Sequence, residues 1–437
     1  MKNLFNGKTY GVIGFGNSGR ASATFLKNNG ANVYVFDDAG NSGDFPKLTE
    51  ENFAEIDVVL VSPGIHLYWS QVHPCIQKAR KNFIPIVTDL DVFQRVSSGK
   101  NICITGTNGK STTTALSYHI LKQAGKNATI GGNFGPAILS LEKDCDFNVL
   151  EISSYQLEGS NILGYDVSVL LNITSDHLTR HGGMTGYISA KQKIFANYHT
   201  DSYAIISVDD SYCRGVYQYL KSINHPHIIA ISGNTVPNDG IGWKDDCLMD
   251  GCDVVCKNNP LMEGVHNRQN IAATYAVSKS VGLDKEKFIN GLMSFQNLEH
   301  RQQLVRTING VQYVNDSKAT NCDSVEQALK RYDDVIWILG GEPKEEGIEK
   351  LTKYFDKIKC ALLIGLVAEK WSKFLSEYNV KNEVVHTLDI AVNRAHEIAN
   401  SIGAKIVLLS PTCASFDQFK SFEDRGNKFI KYVQELS

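Results

Sequence analysis

The sequence contains no apolar segment long enough to cross a membrane, and its first residues, MKNLFNGKTYGVIGFG, lead directly into a strand pattern without a cleavable apolar region. Its charge is nearly balanced, with a formal net charge of −3 over 437 residues. A broad basic face that would bind nucleic acid is therefore not expected. These absences predict a cytoplasmic protein that is neither exported nor inserted in a membrane.

Paired C-x-x-C spacing is also missing, although the chain has ten cysteines. Several of them lie in apolar runs, where a thiol packs as a small core residue, and this pattern indicates a reducing compartment. The closest group, Cys247, Cys252 and Cys256, lacks the four well-spaced ligands of a structural zinc site. A structural zinc is therefore not favoured there.

Short β-branched runs alternate with amphipathic helical stretches along nearly the whole chain, which is typical of parallel sheets covered by helices. The runs that we interpret as buried strands are residues 10–13, 33–36, 58–61, 102–105, 149–152, 167–173, 204–208, 335–339, 361–364 and 406–409. Residues 247–257 depart from the alternation, because Asp250-Gly251 predicts a hairpin turn at a sheet edge.

A chain of 437 residues is too long for one hydrophobic core. Weak seams lie near residues 95 and 296, where polar residues interrupt the pattern. They predict an α/β protein of three domains: a Rossmann-like domain over 1–95, a central domain resembling a P-loop ATPase over 96–295, and a Rossmann-like C-terminal domain over 296–437.

Residues 102–120 have the order of strand, glycine loop and helix that a phosphate-binding loop requires. The loop reads Gly106-Thr107-Asn108-Gly109-Lys110-Ser111-Thr112. Glycines let backbone amides converge on phosphate oxygens, and the helix N-terminus adds partial positive charge. Lys110 adds a full charge, and Ser111 or Thr112 offers a hydroxyl to Mg²⁺. Ile104 stands where the general motif has its first glycine, so an ordinary strand-to-helix turn is the alternative.

Carboxylates follow two of the predicted strands. Glu151 lies in the apolar run 149–152, where a buried charge is costly unless it has a partner. Asp176 and His177 follow the run that ends at Ile173. A hard cation such as Mg²⁺ prefers oxygen ligands, so Glu151 is a candidate ligand. Taken alone, a structural role for Glu151 and a capping role for Asp176 are equally consistent with the pattern.

A second glycine loop, Gly14-Phe15-Gly16-Asn17-Ser18-Gly19, lies between a strand and a helix near the N-terminus. Asp37 and Asp38 end the next strand, at the distance expected for recognition of a ribose. The same geometry binds any nucleotide diphosphate through backbone amides, so the pattern indicates a diphosphate site of unspecified nucleotide. A nicotinamide-dependent oxidoreductase would carry this loop too, but it would leave Lys110 and its loop unexplained.

Together these motifs resemble the Mur ligase family over essentially the whole chain. The phosphate loop without its first glycine is the form that this family shares with the folylpolyglutamate synthetases. Further segments fall in the family's order: GGN at 131–133, EISSYQL at 151–157, HNRQN at 266–270 and His300-Arg301. The segments NDSKATN at 315–321 and LSPTCASFDQFK at 409–420 resemble those of the members that add D-glutamate.

The resemblance implies an ATP-dependent ligase of peptidoglycan precursor synthesis that needs Mg²⁺ and acts as a monomer. It would add D-glutamate to UDP-N-acetylmuramoyl-L-alanine through an acyl phosphate, releasing ADP and phosphate. The nearest alternative is another Mur ligase or a folylpolyglutamate-type ligase with a different amino acid. A nucleotide-binding regulator, in which Glu151 and His177 are structural, is a third interpretation.

The resemblance also implies roles for individual residues. Lys110 and the loop amides would bind the phosphates of ATP, and Ser111 or Thr112, Glu151 and His177 would bind Mg²⁺. Asn267 and Asn270 would contact the adenine, and Arg301, Asp316 and Lys318 from the third domain would complete the ATP site. For the substrates it implies Asn17, Ser18, Asp37 and Gly64 at the uridine diphosphate, Asn133 near the diphosphate of the precursor, and Thr320, Lys344, Ser415 and Phe422 at D-glutamate.

Lys191 falls where the family carries a lysine carbamoylated by CO₂, which would turn a cation into an anion able to hold a second Mg²⁺. By spacing alone, Lys191 is a solvated helix residue. Two positions depart from the family pattern: Ala39 stands where relatives often have arginine, and the loop that contains Lys344 differs from the usual one. These departures leave the uracil contact and the D-glutamate contact of Lys344 open.

Overall fold

The computed structural model describes residues 2–68, 72–161, 164–260, 262, 264–296, 298–343 and 347–436. The chain forms two compact units, Met1–Phe295 and Gln296–Ser437. Among the described residues, none of the helices combines the length and the apolar character needed to span a membrane. All ten cysteines are free thiols, as a reducing compartment allows.

The first sheet of the first unit has four parallel strands, in the order β2-β1-β3-β4. The strands are β1 Thr9–Ile13, β2 Asn32–Phe36, β3 Val58–Val61 and β4 Ile86–Thr88. The helices of this part are α1 Lys2–Phe5, α2 Asn17–Asn28, α3 Pro74–Lys81 and α4 Asp89–Val96. The chain leaves β1 toward β2 on one side and continues at β3 on the other, which creates a crevice at the carboxyl ends of β1 and β3.

The second sheet has nine strands, in the order β13-β12-β11-β10-β9-β8-β5-β7-β6. They are β5 Lys100–Thr105, β6 Ala128–Gly132, β7 Phe147–Glu151, β8 Val167–Leu170, β9 Tyr203–Ser207, β10 His227–Ile231, β11 Ile241–Lys244, β12 Cys247–Asp250 and β13 Asp253–Lys257. The seven strands β5 to β11 are parallel to one another, whereas β12 and β13 form an antiparallel hairpin at the edge. The predicted edge hairpin is therefore confirmed.

The helices on the second sheet are α5 Lys110–Gln123, α6 Ser154–Gly159, α7 Leu178–His181, α8 Met184–Gln192, α9 Ser211–Ser222, α10 Val265–Ser280 and α11 Lys285–Ser294. One hydrophobic cluster includes side chains from both sheets of the first unit, among them Val12, Phe93 and Leu157. Burial of this shared apolar surface stabilises the two sheets as one unit.

The second unit contains a six-stranded sheet in the order β14-β15-β19-β16-β17-β18. Its strands are β14 Gln303–Ile308, β15 Val311–Asn315, β16 Val335–Gly340, β17 Ile358–Ile364, β18 Asn382–His386 and β19 Ile406–Leu409, and its helices are α12 Cys322–Arg331, α13 Ala368–Glu377, α14 Leu388–Ile402 and α15 Phe422–Glu435. The pair β14–β15 is antiparallel and the other pairs are parallel. Separate apolar clusters cover the two faces, which explains the near-continuous apolar runs of the central strands.

The predicted α/β class is confirmed, with sheets that are largely parallel. The boundaries near 95 and 296 remain predictions of domain organisation. One predicted strand is too long: the apolar run 167–173 is a strand only through Leu170. The chain leaves the sheet there because the Asn172 side chain and the Thr174 amide bond the phosphate loop instead of a neighbouring strand.

Candidate functional site

The predicted phosphate loop follows the carboxyl end of β5, an interior strand of the second sheet, and connects it to α5. β5 pairs with β7 on one side and β8 on the other, so the residues that follow these three strands share one edge. Gly109 caps α5 with a left-handed backbone, φ +84°, which glycine adopts without steric cost. The first-turn amides of α5 therefore face the loop, where they favour an anion.

Two lysines converge on this loop. Lys110 Nζ donates to Gly106 O at 3.0 Å and to Thr107 O at 2.8 Å. Lys191 Nζ, from α8, donates to the same Gly106 O at 2.7 Å. Lys191 is 1% exposed, so the interpretation of this residue as a solvated helix position is wrong. Burial, and then the nearby Lys110 charge, hold the pKa of Lys191 well below its usual range.

Two side-chain amides and one carboxylate form a chain of hydrogen bonds that holds the loop in place. Asn172 accepts from Asn108 N at 2.8 Å and donates to Asn108 O at 3.1 Å. Its amide also donates to Gln269 Oε1, and Gln269 in turn donates to Asp209 Oδ2 at 2.8 Å. Sequence analysis did not single out Asn172 or Asp209. Both follow the ends of strands, and that position is the signal that could have identified them.

Glu151 ends β7 beside the loop and is 2% exposed. Its Oε1 accepts from Asn133 Nδ2 at 2.7 Å. Its Oε2 is buried without a hydrogen-bond partner among the described residues. A buried carboxylate oxygen of this kind is costly unless a cation or donor satisfies it, so its chemistry fits a hard cation such as Mg²⁺. No group of three or more His, Cys, Asp and Glu side chains that could hold a metal occurs in the described part of the chain.

His177 lies just before α7 with a left-handed backbone, φ +55°. This conformation is strained for a residue with a side chain, and such strain is common at functional sites. His177 Nδ1 lies 3.2 Å from Tyr155 Oη, and its Nε2 lies 3.5 Å from Asp176 Oδ2. The imidazole is exposed, so it is accessible to a bound substrate.

The two predicted adenine residues lie on the first turns of α10. Both are buried. Asn270 Oδ1 accepts from Thr113 Oγ1 of α5 at 3.2 Å, and Asn270 Nδ2 lies 3.3 Å from Asn267 Oδ1. The structure thus brings the start of α10 directly against the helix that follows the phosphate loop.

The N-terminal glycine loop borders a cavity of about 550 Å³. It is lined on one side by the predicted residues Asn17, Ser18, Asp37 and Gly64, and on the other by residues of the second sheet, including Asn133 and Gln156. Asp37 Oδ2 accepts from Phe15 N at 2.7 Å, so this carboxylate supports the glycine loop. Asn133 lines this cavity and also donates to Glu151 Oε1, so one side chain connects the cavity wall to the carboxylate beside the phosphate loop.

In the second unit, Asp316 and Lys318 follow β15, and Ser415 follows β19. These strands are parallel neighbours, so their carboxyl ends meet. Asp316 is buried and accepts from Ser410 Oγ at 2.8 Å and from Gln302 N at 3.2 Å. Lys318 Nζ lies 3.8 Å from the centre of the Phe422 ring.

Arg425, which sequence analysis missed, joins the two turns that carry these residues. It is fully buried, and it donates to Ser317 Oγ at 2.9 Å, to Ser317 O at 2.8 Å and to Cys413 O at 3.3 Å. Thr412 N also donates to Ala319 O at 2.9 Å, which holds the turn before Ser415 against the turn before Thr320. Arg301 belongs to the same unit, and Lys344 lies outside the described residues.

The chain matches two protein families. The Mur ligase middle domain matches residues 104–277, and the glutamate ligase domain of the Mur ligases matches residues 300–413. Among curated proteins, the UDP-N-acetylmuramoylalanine–D-glutamate ligase of Paramagnetospirillum magneticum is 40% identical over 99% of this chain and 97% of its own length. The enzyme of the same name from Rickettsia prowazekii is 38% identical over 98% of each chain.

Solved structures resemble the whole chain in fold. UDP-N-acetylmuramate-alanine ligase of Thermotoga maritima superposes with a TM-score of 0.62 at 18% identity, covering 98% of this chain and 99% of that chain. A second ligase of Thermotoga maritima, MurF, solved in complex with ADP, superposes with a TM-score of 0.59 at 16% identity, covering 100% of this chain and 97% of that chain.

Gly109→Ala is expected to weaken ATP binding by about tenfold or more. The added Cβ would lie 2.4 Å from Asn270 Oδ1 at a backbone φ of +84°, so either the loop or the Asn270 side chain, which is predicted to contact the adenine, must shift. Gly125→Ala is the matched control, because its φ is +76° and an added Cβ meets no described atom within 4 Å. Calorimetric titration with ATP should show weak binding for the first variant only. Equal weakening by both would contradict a specific effect of the Asn270 contact.

Asp316→Asn is expected to change how stability depends on pH. Burial raises the pKa of Asp316 to about 7, whereas an aspartate in an unfolded chain has a pKa of about 3.9. The folded protein thus retains a proton that the unfolded chain has lost, and this group destabilises the fold increasingly as pH rises through that interval.

The Asp316→Asn variant, which is neutral at this position, should therefore gain stability relative to wild type as pH rises from about 4 to about 7. Urea unfolding followed across this range measures the difference, with the exposed Asp333→Asn as the control. Parallel pH profiles for wild type and Asp316→Asn would show that Asp316 titrates normally.

Proposed function

The chain belongs to the Mur ligase family, and from this premise we propose that it adds D-glutamate to UDP-N-acetylmuramoyl-L-alanine, converting ATP to ADP and phosphate. It is a ligase of peptidoglycan precursor synthesis. The observation that carries the proposal is the position of Glu151 at the end of β7, beside the phosphate loop: one of its oxygens has no hydrogen-bond partner among the described residues, and the other accepts from Asn133, which lines the N-terminal cavity. This position supports a reaction in which a nucleotide site and a second substrate site lie near one carboxylate.

The N-terminal cavity receives the UDP part of the precursor. The glycine loop supplies backbone amides to the diphosphate, as such loops do for other nucleotides. Asn17, Ser18, Asp37 and Gly64 contact the nucleotide, and Asn133 lies near the diphosphate. This orientation directs the muramoyl-alanine carboxylate toward Glu151 and the phosphate loop. It is supported by the lining of the cavity, which extends from the glycine loop to Asn133.

The phosphate loop receives ATP. Residues 106–112 surround the β- and γ-phosphates, and Lys110 turns from the loop carbonyls to the phosphate oxygens. Asn267 and Asn270 contact the adenine, which their position against α5 supports. By resemblance to the family, we also assign Arg301, Asp316 and Lys318 to ATP.

Ser111 or Thr112, Glu151 and His177 would hold Mg²⁺, and a carbamoylated Lys191 would hold a second Mg²⁺. The metal would neutralise charge on the transferring phosphate. Lys191 suits carbamoylation because burial and the Lys110 charge lower the pKa of its amine, which favours the uncharged form that attacks CO₂. The resulting anion would also remove the repulsion between Lys110 and the charged form of Lys191, whose nitrogens share Gly106 O.

The reaction needs an activated carboxylate, because a carboxylate ion is a poor electrophile. One oxygen of the alanyl carboxylate attacks the γ-phosphorus, the bond to ADP breaks, and an acyl phosphate forms. Lys110 stabilises the charge that spreads over the transferring oxygens. The amine of D-glutamate then attacks the acyl carbon and phosphate leaves.

The attacking amine must lose a proton, and His177 is the side chain that we assign to polarise or accept it, the alternative being that His177 serves only as a metal ligand. Its contact with Tyr155 Oη holds one ring nitrogen in place. We assign Thr320, Lys344, Ser415 and Phe422 to the binding of D-glutamate. The enzyme acts as a monomer in the cytoplasm, a compartment that suits its ten free thiols.

An amino-acid panel tests the substrate. With ATP, Mg²⁺ and UDP-N-acetylmuramoyl-L-alanine, we expect phosphate release with D-glutamate and little with L-glutamate, because the two enantiomers cannot place amine and side chain alike. Equal rates for both would contradict the substrate assignment. Turnover with a different amino acid would indicate another ligase of the same family.

Lys110→Ala is expected to abolish acyl-phosphate formation, since it removes the charge that faces the γ-phosphate. Precursor binding should remain near that of wild type, because the N-terminal cavity does not include Lys110 among its lining residues. Lys122→Ala is the matched control, because Lys122 is an exposed lysine on the same helix. Calorimetry with the precursor and a phosphate-release assay give the two readouts. Loss of precursor binding in Lys110→Ala would contradict two separate sites.

A further inference from the structure

Arg180 lies in α7, three residues after His177, and is 7% exposed. Its guanidinium group donates to the backbone of the loop that follows β3, which is far away in sequence. The distances are 3.2 Å from Nη1 to Gly64 O and 2.7 Å from Nη2 to Ile65 O. Gly64 and Ile65 line the N-terminal cavity. Arg180, which lies on a helix of the second sheet, thus holds the part of the cavity wall that follows β3 of the first sheet.

The same guanidinium group is fixed from the other side. Arg180 Nε and Nη2 donate to Glu158 Oε2 at 3.2 and 2.9 Å. The other oxygen of Glu158 lies 3.3 Å from His181 Nδ1, and His181 Nε2 lies 3.0 Å from Ser154 Oγ. Burial acts to raise the pKa of Glu158, but the contacts with His181 and Arg180 lower it on balance, so the pair is ionic at neutral pH.

Arg180 also contacts the surroundings of His177. Its Cζ lies 4.8 Å from the centre of the Tyr155 ring, and Tyr155 Oη is the atom next to His177 Nδ1. One planar group therefore touches the cavity wall, the end of α6 through Glu158, and the tyrosine beside the candidate catalytic histidine. Lysine cannot reproduce these contacts, since its single nitrogen lacks the planar fork of arginine.

We propose that Arg180 is a positioning residue that sets the wall of the precursor cavity at Gly64 and Ile65 relative to His177, and thereby determines precursor affinity. This inference rests on the proposed function. A buried ion pair alone is weak grounds for a stability role, because an apolar pair of similar volume often substitutes for it. The contacts with the carbonyl oxygens of Gly64 and Ile65, which only a multidentate donor can make, support a positioning role instead.

The test compares Arg180→Lys with wild type in steady-state kinetics and in calorimetric titration of UDP-N-acetylmuramoyl-L-alanine without ATP. Losing one charge-assisted hydrogen bond should raise KM and Kd for the precursor about tenfold. KM for ATP and for D-glutamate should stay within about twofold. Arg394→Lys is the control, because Arg394 forms a partly exposed ion pair with Glu383 on the second unit.

A second variant separates positioning from folding. Glu158→Gln with Arg180→Leu removes both charges and keeps an amide oxygen for His181 Nδ1, so thermal stability should be largely retained while precursor affinity stays low. Equal rises in all three KM values, or normal precursor affinity in either variant, would overturn the inference. If wild type itself released no phosphate with D-glutamate, the proposed function would fail instead, whereas calorimetry would still report on the cavity.

Discussion

The side-chain nitrogens of Lys110 and Lys191 both donate to the single carbonyl oxygen of Gly106. Two ammonium groups at this separation repel each other, and burial of Lys191 adds to the cost of its charge because the local dielectric constant is low. The site therefore favours added negative charge. In the proposed function, a nucleotide phosphate at Lys110 or a carbamate at Lys191 would supply it, and the neighbouring Glu151 carboxylate would then be available for a cation.

Parallel strand topology explains why these groups lie together. Four candidate site segments of the first unit lie at the carboxyl ends of strands: the phosphate loop after β5, Asn133 after β6, Glu151 at the end of β7, and the glycine loop after β1. Neighbouring parallel strands present these ends at one edge. The apolar cluster shared by the two sheets places the two edges next to one cavity. Separate nucleotide sites can therefore serve one reaction.

Local sequence determined much of this protein. Apolar runs predicted the central strands. The glycine loops, the carboxylate at the end of β7 and the hairpin near Gly251 could be located from residue type and spacing alone. These features depend on contacts between residues close in the chain, such as a glycine that permits a left-handed turn before a helix. The family resemblance then supplied roles for residues whose own pattern left alternatives open, Glu151 and Lys191 among them.

Tertiary structure alone decided which of those residues meet. Lys191 lies 85 positions from Gly106, and Arg180 lies 116 positions from Gly64. Asn172 looks like the tail of an apolar strand, yet its side chain supports the phosphate loop. Periodicity reports only which face of an element is apolar, whereas a buried polar group is stable only when a distant partner satisfies it. The identity of that partner depends on the packing of whole sheets, which no local pattern contains.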